Sequence, residues 1–344
     1  MTSTLSPAVS TARAVAAELA TQARSLEADG VTRAVVQRLA EAGLLAVSGP
    51  AELGGVPEAE QRAVAEALAG SSPDAWFVWF QHGPVVRMLG RTDNEALRTT
   101  ALPDLCAGRA LGGVAYSHLR TPRPSVHAER VEGGWSFTGT QPWCTGWPLV
   151  DLVLAGALDP DGDRVVFGLV RAGDRPQLHS TGELALAAMG GTRTHGLAFE
   201  GLLVPDEQVL AVRDRAEFAA YDTALNANVQ PSTFGVALAA LDLLEERQGE
   251  AAGRLRGRVL ELRGRAYALM DEVPADERLE ERLAVRAAAL LLGLECATAL
   301  LAARGGQGMD LRDPAQRLLR AAAFQLVHSQ AAHVRAATLD ALVA

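Results

Sequence analysis

Side chains able to do chemistry are few and scattered in this 344-residue sequence. Cys106, Cys144 and Cys296 stand far apart, with no CxxC pair and no neighbouring histidine, so neither a metal site nor a disulfide framework is expected. His328, near the C-terminus, carries the side chain best suited to moving a proton near pH 7, although a lone histidine on a long helix more often serves packing; His333 reads as structural. His118 reads either as a residue at the edge of a binding site or, the preferred reading, as a solvent-exposed loop histidine. Arg193 follows the pair Gly190-Gly191, where an arginine either holds a turn or meets a substrate or phosphate. Trp76, Phe77, Trp79 and Phe80 are too many aromatics for one helix face, so some of them meet a second domain or a ligand. Trp79, with Trp76 and Phe80, is a candidate wall for an apolar binding pocket, against plain packing of helix on domain.

The elements that must position these residues fall into three blocks. From about Ser10 to Ala69, apolar residues recur by threes and fours (Val15, Leu19, Leu26; Val31, Val35, Leu39), which predicts helices. Ser71-Ser72-Pro73-Asp74 then opens a further helix, because a hydroxyl or carboxylate cap satisfies free N–H groups and proline at the first position loses no needed donor. After Pro103 the pattern changes to short apolar runs bounded by Gly, Pro and Asp, at 110–116, 126–131, 135–140, 149–157, 164–170, 177–179 and 196–204. Strands with no helix between them predict a small antiparallel sheet, and no GxGxxG follows any of them, so a nicotinamide dinucleotide site is not expected. Beyond Pro205 long helical patterns return: 233–248, stopped by Gly249, then 255–271, 279–303 and 314–343, which read as an antiparallel four-helix bundle. The fold class is therefore α+β, with an all-α domain over 1–102, a β domain over 103–212 and a helical bundle over 213–344.

Composition narrows the partners. A formal net charge of −9 does not suit phosphate neutralisation along a nucleic acid, and arginines such as Arg254, Arg258 and Arg265 read as the wet face of a helix. The apolar stretch 283–303 carries Arg286 and Glu295 and reads as a central bundle helix, not a membrane span. The N-terminus lacks the basic start and continuous apolar run of a secretory leader, so a cytoplasmic location is expected.

Four segments add meaning to this layout: Gly139-Thr140-Gln141-Pro142-Trp143-Cys144-Thr145-Gly146; Met189-Gly190-Gly191-Thr192-Arg193 leading to Val204-Pro205; Gly305-Gly306-Gln307-Gly308 with Asp313-Pro314 and Arg317 to Arg320; and Ala115-Tyr116-Ser117-His118. In this order they resemble the NGxKxWITN, MG-x-R, GGxG…P-x-x-R-x-x-R and TEP segments of the acyl-CoA dehydrogenase superfamily. The resemblance implies that Trp143 and Thr145 lie against a flavin ring, that the Ser117 hydroxyl touches it, and that Gly305 and Gly306 approach the nucleotide half of FAD, often that of a neighbouring subunit. It implies FAD as cofactor, a small acyl thioester or aromatic compound as substrate, and a homodimer or homotetramer.

The resemblance also implies a catalytic glutamate at one of two places, and both are occupied otherwise: counting from Arg320 leads to Ser329, and counting back from Gly235 leads to Leu225. The family's R-x-x-F-G is missing too, since Arg247 is followed by Gln-Gly-Glu-Ala. Three functions follow as expectations. The first is dehydrogenation of a CoA- or carrier-bound acyl thioester with a replaced base. The second is a monooxygenase that takes reduced FMN or FAD as co-substrate, His328 resembling the position of a histidine in two-component enzymes of this fold. The third is a binding partner without catalysis.

Overall fold

The computed structural model describes residues 6–344. The expected absence of a leader rests in part on residues 1–5, which lie outside the described residues. Helix α1 (Pro7–Asp29) starts where the chain supplies a cap: Ser6 Oγ accepts from the Val9 N–H and Pro7 takes the first position. Then come α2 (Arg33–Glu41), α3 (Glu58–Ser71), α4 (Pro73–Gly90) and α5 (Glu95–Cys106). Ser72 caps α4 as its sequence predicts, accepting from the Ala75 N–H. Trp76 is fully buried in the same continuous core as Leu19, Phe137, Phe234 and Leu292, so the helical ends and the sheet share one apolar interior.

Strands β1 (Gly112–Ala115), β2 (Val126–Val131), β3 (Gly134–Cys144), β4 (Leu152–Asp159), β5 (Arg164–Arg171), β6 (Leu178–Glu183), β7 (His195–Pro205) and β8 (Val209–Asp214) form one sheet. Their order is β6-β7-β3-β2-β4-β5-β8, with β1 on β4. The expected antiparallel sheet is in fact mixed, because β1 runs parallel to β4 and β2 meets β4 in parallel at His127 and Leu158. The seven expected strands are present and β8 is additional; helix α5 and strand β8 run across the expected boundaries at 102 and 212. Strand β3 pairs antiparallel with β7, but its register slips after Gln141: Gln141 faces Leu197 and Cys144 faces His195. Two residues, Pro142 and Trp143, thus stand opposite Gly196 alone, and proline, having no N–H to give, suits such a bulge.

The C-terminal part holds α6 (Arg215–Ala227), α7 (Pro231–Glu272), α8 (Leu279–Arg304), α9 (Pro314–Gln325) and α10 (Ala332–Val343). Segment α7 loses helical geometry at Gln248 (φ −142°, ψ 62°) and reverses there. The reversal is evident because Arg256 reaches back to Asp242 and Glu245, and the rings of Phe234 and Tyr267 lie 5.8 Å apart. Its two arms, 231–247 and 249–272, join α8 and the α9–α10 run as the four members of the bundle. Helix α8 is long and apolar enough to cross a bilayer, yet here it buries Val285, Leu292 and Leu300 together with Arg282 and Arg286 inside the protein. The single helix expected over 314–343 is broken: α9 ends at Gln325, Ser329 takes a left-handed φ of 52°, and α10 begins at Ala332. Arg286 draws off the His328 carbonyl at 2.9 Å, an oxygen that a continuous helix would use for its own ladder.

The N-terminal helices touch the bundle backbone to backbone. A Cβ on Gly235 would lie 2.3 Å from the Glu66 carbonyl oxygen, and one on Gly70 would lie 2.8 Å from that of Gly235. Overpacking of this kind costs roughly 1–3 kcal/mol. Gly235→Ala is therefore expected to lower the unfolding free energy by about that amount in urea titration, whereas Gly257→Ala, which meets nothing within 4 Å, is neutral or stabilising.

Candidate functional site

A cleft of about 1300 Å³ opens between the ends of β1 and β3 on one side and α4, α6 and the α9–α10 connection on the other. Sites for one small ligand run from about 300 to 1,000 Å³, so this volume suits two ligands side by side. Its sheet wall is built by the β3 bulge. Trp143, thrown out beside Pro142, is 49% exposed and lines the cleft. Thr145 is buried at the same wall, with the hydroxyl of Thr194 3.3 Å from its own and that of Thr192 a further 2.8 Å beyond. The Gly146 N–H donates to the Thr192 carbonyl, which ties this end of β3 to the turn before β7. Ser117, just past β1, accepts from Gln141 Nε2 at 2.9 Å, and the same amide donates to the Trp143 carbonyl. Gln141 thus fixes Ser117 and Trp143 relative to each other.

Of the residues singled out from the sequence, Ser117, Trp143, Thr145, Trp79 and His328 all line this one cleft. Trp79 is also anchored, its indole N–H donating to the Leu44 carbonyl at 2.7 Å. Arg193 does not line it: the residue sits in a left-handed turn with Nε 2.7 Å from Glu183, its stem lying against Gly30, so it holds the turn. Gly305 and Gly306 are exposed at the end of α8, away from the cleft of their own chain. His118 is buried and not in a solvent-exposed loop. It accepts from the Ser125 N–H at Nδ1 and bonds the Gly156 carbonyl through Nε2, and burial holds it neutral with a pKa of about 4. No group of three or more histidine, cysteine or acidic residues that could hold a metal occurs among the described residues.

Ser329 and Leu225, the two places where a base is expected, do face the cleft. The carboxylates that line it are Glu58, which is exposed, and Asp222, which is buried. Asp222 stands three residues before Leu225 on α6, one turn along the same face, and both its oxygens are held by Arg120 at 2.9–3.1 Å. Its partner comes from the loop after β1, and only the proximity to Leu225 marks it in the sequence.

His328 lies in the turn between α9 and α10, not on a helix. Its ring stacks on Phe324 at 5.3 Å and meets Trp76, Phe77 and Phe80 edge-on at 5.1–5.7 Å. Burial, and then the positive charges of Arg286 and Arg120, lower its pKa to about 3, and Nδ1 is buried without a partner. The imidazole is neutral at physiological pH.

Comparison with known proteins agrees with this geometry. Residues 8–109 match the family described as acyl-CoA dehydrogenase, N-terminal domain. A 2-methylacyl-CoA dehydrogenase of Solanum tuberosum is 27% identical over 136 residues, 38% of this chain and 33% of that protein, so the match spans about a third of the relative. Butyryl-CoA dehydrogenase from Megasphaera elsdenii superposes over 100% of both chains with a TM-score of 0.81 at 16% identity. A dibenzothiophene monooxygenase from Paenibacillus sp. A11-2 does so over 98% of this chain and 97% of its own, with a TM-score of 0.78 at 17% identity. The N-terminal third of the chain thus carries the pattern of the acyl-CoA dehydrogenase N-terminal domain, and the whole chain shares the fold of these structures.

The state of His328 has a measurable consequence. Its folded pKa of about 3 lies below its ordinary value of 6.5, so acid favours the unfolded chain; stability is full above pH 6.5 and falls as pH drops toward 3. The slope from this one residue is about 1.4 kcal/mol per pH unit within that window. His328→Phe, which keeps the aromatic contacts, is expected to fold and to show a shallower loss of Tm between pH 6.5 and 4; the remainder comes from the other groups held below their ordinary values, among them His82 and His118, both lowered to about 4.

Proposed function

We propose that this protein is an FAD-dependent oxidoreductase that dehydrogenates the α,β bond of an acyl thioester, CoA- or carrier-bound, with Asp222 as proton acceptor. The observation that carries the reading is the β3 bulge, which presents an exposed indole and a hydroxyl to the cleft onto which the buried Asp222 also faces. The residues present fit a flavin ring: Trp143 offers a flat apolar face, while Thr145 and Ser117 offer hydroxyls fixed by Thr194 and Gln141. A bound flavin supplies the hydride acceptor. Trp143 covers the ring and excludes water, and the two hydroxyls orient it. Asp222, steadied by Arg120, takes the α-proton, the task that Ser329 and Leu225 cannot perform. The volume leaves room for the thioester beside the ring.

The monooxygenase reading used His328 as proton donor or base, and a neutral imidazole walled in by aromatics and facing two arginines is poorly suited to either task. A partner without catalysis would have little use for so large a cleft. Because Gly305 and Gly306 lie away from their own cleft, contact with the nucleotide half of FAD would come from a neighbouring subunit, and the proposal includes a cytoplasmic homodimer or homotetramer.

Two measurements on the purified protein test this reading. Trp143→Ala is expected to weaken FAD binding at least tenfold in a fluorescence titration. The flavin-loaded protein is expected to exchange the α-proton of a thioester that cannot be oxidised at Cβ into D2O, and Asp222→Asn to abolish the exchange. Failure of the wild type to bind flavin in either redox state sinks the proposal; exchange undiminished in Asp222→Asn sinks the assignment of the base.

A further inference from the structure

The cleft is cationic in an acidic protein. Eight arginines line it against two carboxylates, Glu58 and Asp222, although the chain as a whole carries −9. Three of the eight are already committed, Arg62 to Asp271, Arg120 to Asp222 and Arg320 to Glu27. Of the others, Arg87 of α4, Arg91 just after it and Arg213 of β8 line the cleft together with Tyr116 and Tyr221. Arg213 lies 5.8 Å over the ring of Tyr221, and Arg87 is within electrostatic reach of both phenols, of Arg91 and of the exposed Glu58, with which it makes no ion pair. Among the described residues, none of these three arginines is ion-paired.

Arg87 is the informative member. It is half-buried in the cleft wall, and its one hydrogen bond goes from Nη1 to Ser48 Oγ at 3.0 Å. Burial pulls its pKa below the ordinary arginine value. Two other buried arginines show what a structural role looks like in this fold. Arg286 reaches the carbonyls of Asn226, Asn228 and His328, and Arg282 reaches Asn228 Oδ1 and the carbonyls of Val273, Pro274 and Glu277. Arg87 has no such set. A desolvated guanidinium with no carboxylate paired to it is costly, and a fork of N–H donors left free beside a cavity matches the geometry of a phosphate or carboxylate.

We propose that Arg87, Arg91 and Arg213, with the hydroxyls of Tyr116 and Tyr221, form an oxyanion-binding subsite of the cleft. The oxyanion is either the phosphate of a carrier attached to the substrate or a carboxylate on the substrate's own acyl portion. The inference does not require a flavin, and it is tested without one.

Inorganic pyrophosphate and glutarate serve as probes for the two sources, titrated into the full-length protein by calorimetry. At least one is expected to saturate, with affinity falling at high salt. Tighter binding of pyrophosphate assigns the subsite to a phosphate and tighter binding of glutarate to a carboxylate; either result supports the proposal. Arg87→Met is expected to weaken the preferred probe at least tenfold while keeping or raising the Tm of the free protein, because it removes a buried charge that has no ion-pair partner. Arg213→Gln is expected to weaken it severalfold and serves alone if Arg87→Met does not fold. Absence of binding by both probes overturns the proposal, as does unaltered affinity in the variants or a lowered Tm of Arg87→Met with affinity intact.

Discussion

Pro142 has no N–H, and strand β3 therefore releases its neighbour for two residues; the candidate site depends on that release. Were the ladder to run on from Gln141 without a slip, Trp143 would lie in register against β7. The bulge instead turns the indole outward and brings Thr145 to the same wall, while Gln141, the last residue before the slip, clamps Ser117 and the Trp143 carbonyl. Across the cleft an analogous device works through a side chain. Arg286 takes the His328 carbonyl together with those of Asn226 at the end of α6 and Asn228 just past it, breaking the last helical run and joining the segments that carry Asp222 and His328. In both walls a main-chain hydrogen bond is given up so that a side chain can be aimed.

The two buried ion-bearing groups of the cleft play unlike parts. Arg120 and Asp222 meet in a bidentate pair of good geometry, in which each satisfies the other. His328, by contrast, sits close to both Arg120 and Arg286, and its neutrality follows from burial among aromatic rings reinforced by those positive neighbours. An uncharged imidazole here packs as a fifth aromatic.

Periodicity and capping made the helix-sheet-helix order legible, since Ser72-Pro73 and the threes-and-fours spacing report local physics. Trp143, Thr145 and Ser117 stand out through the resemblance of two short segments to family motifs, and the fold brings all three to one cleft. What depends on distant partners was not legible. Asp222 gains meaning from Arg120, 102 positions away, and Arg87 only from having the Ser48 hydroxyl and no carboxylate as its partner. His328 reads as helical until Arg286 captures its carbonyl from another helix. Arg193 resembles a ligand contact in a motif, yet Glu183 on the neighbouring strand claims it. The short strand β8 follows Val204-Pro205 too closely to stand out from the loop.

The glycine crossing between α3 and the 231–247 arm limits how the cleft can open. Main chain rests on main chain there, and Arg62–Asp271 and Arg263–Glu66 tie α3 to the 249–272 arm as well. With no side-chain cushion at the crossing, the layers have little room to slide or tilt apart. At the cleft itself the large exposed side chains are Leu225, Tyr221, Val327 and Trp143, and single-bond rotation of such side chains alters its outline without moving the layers behind them.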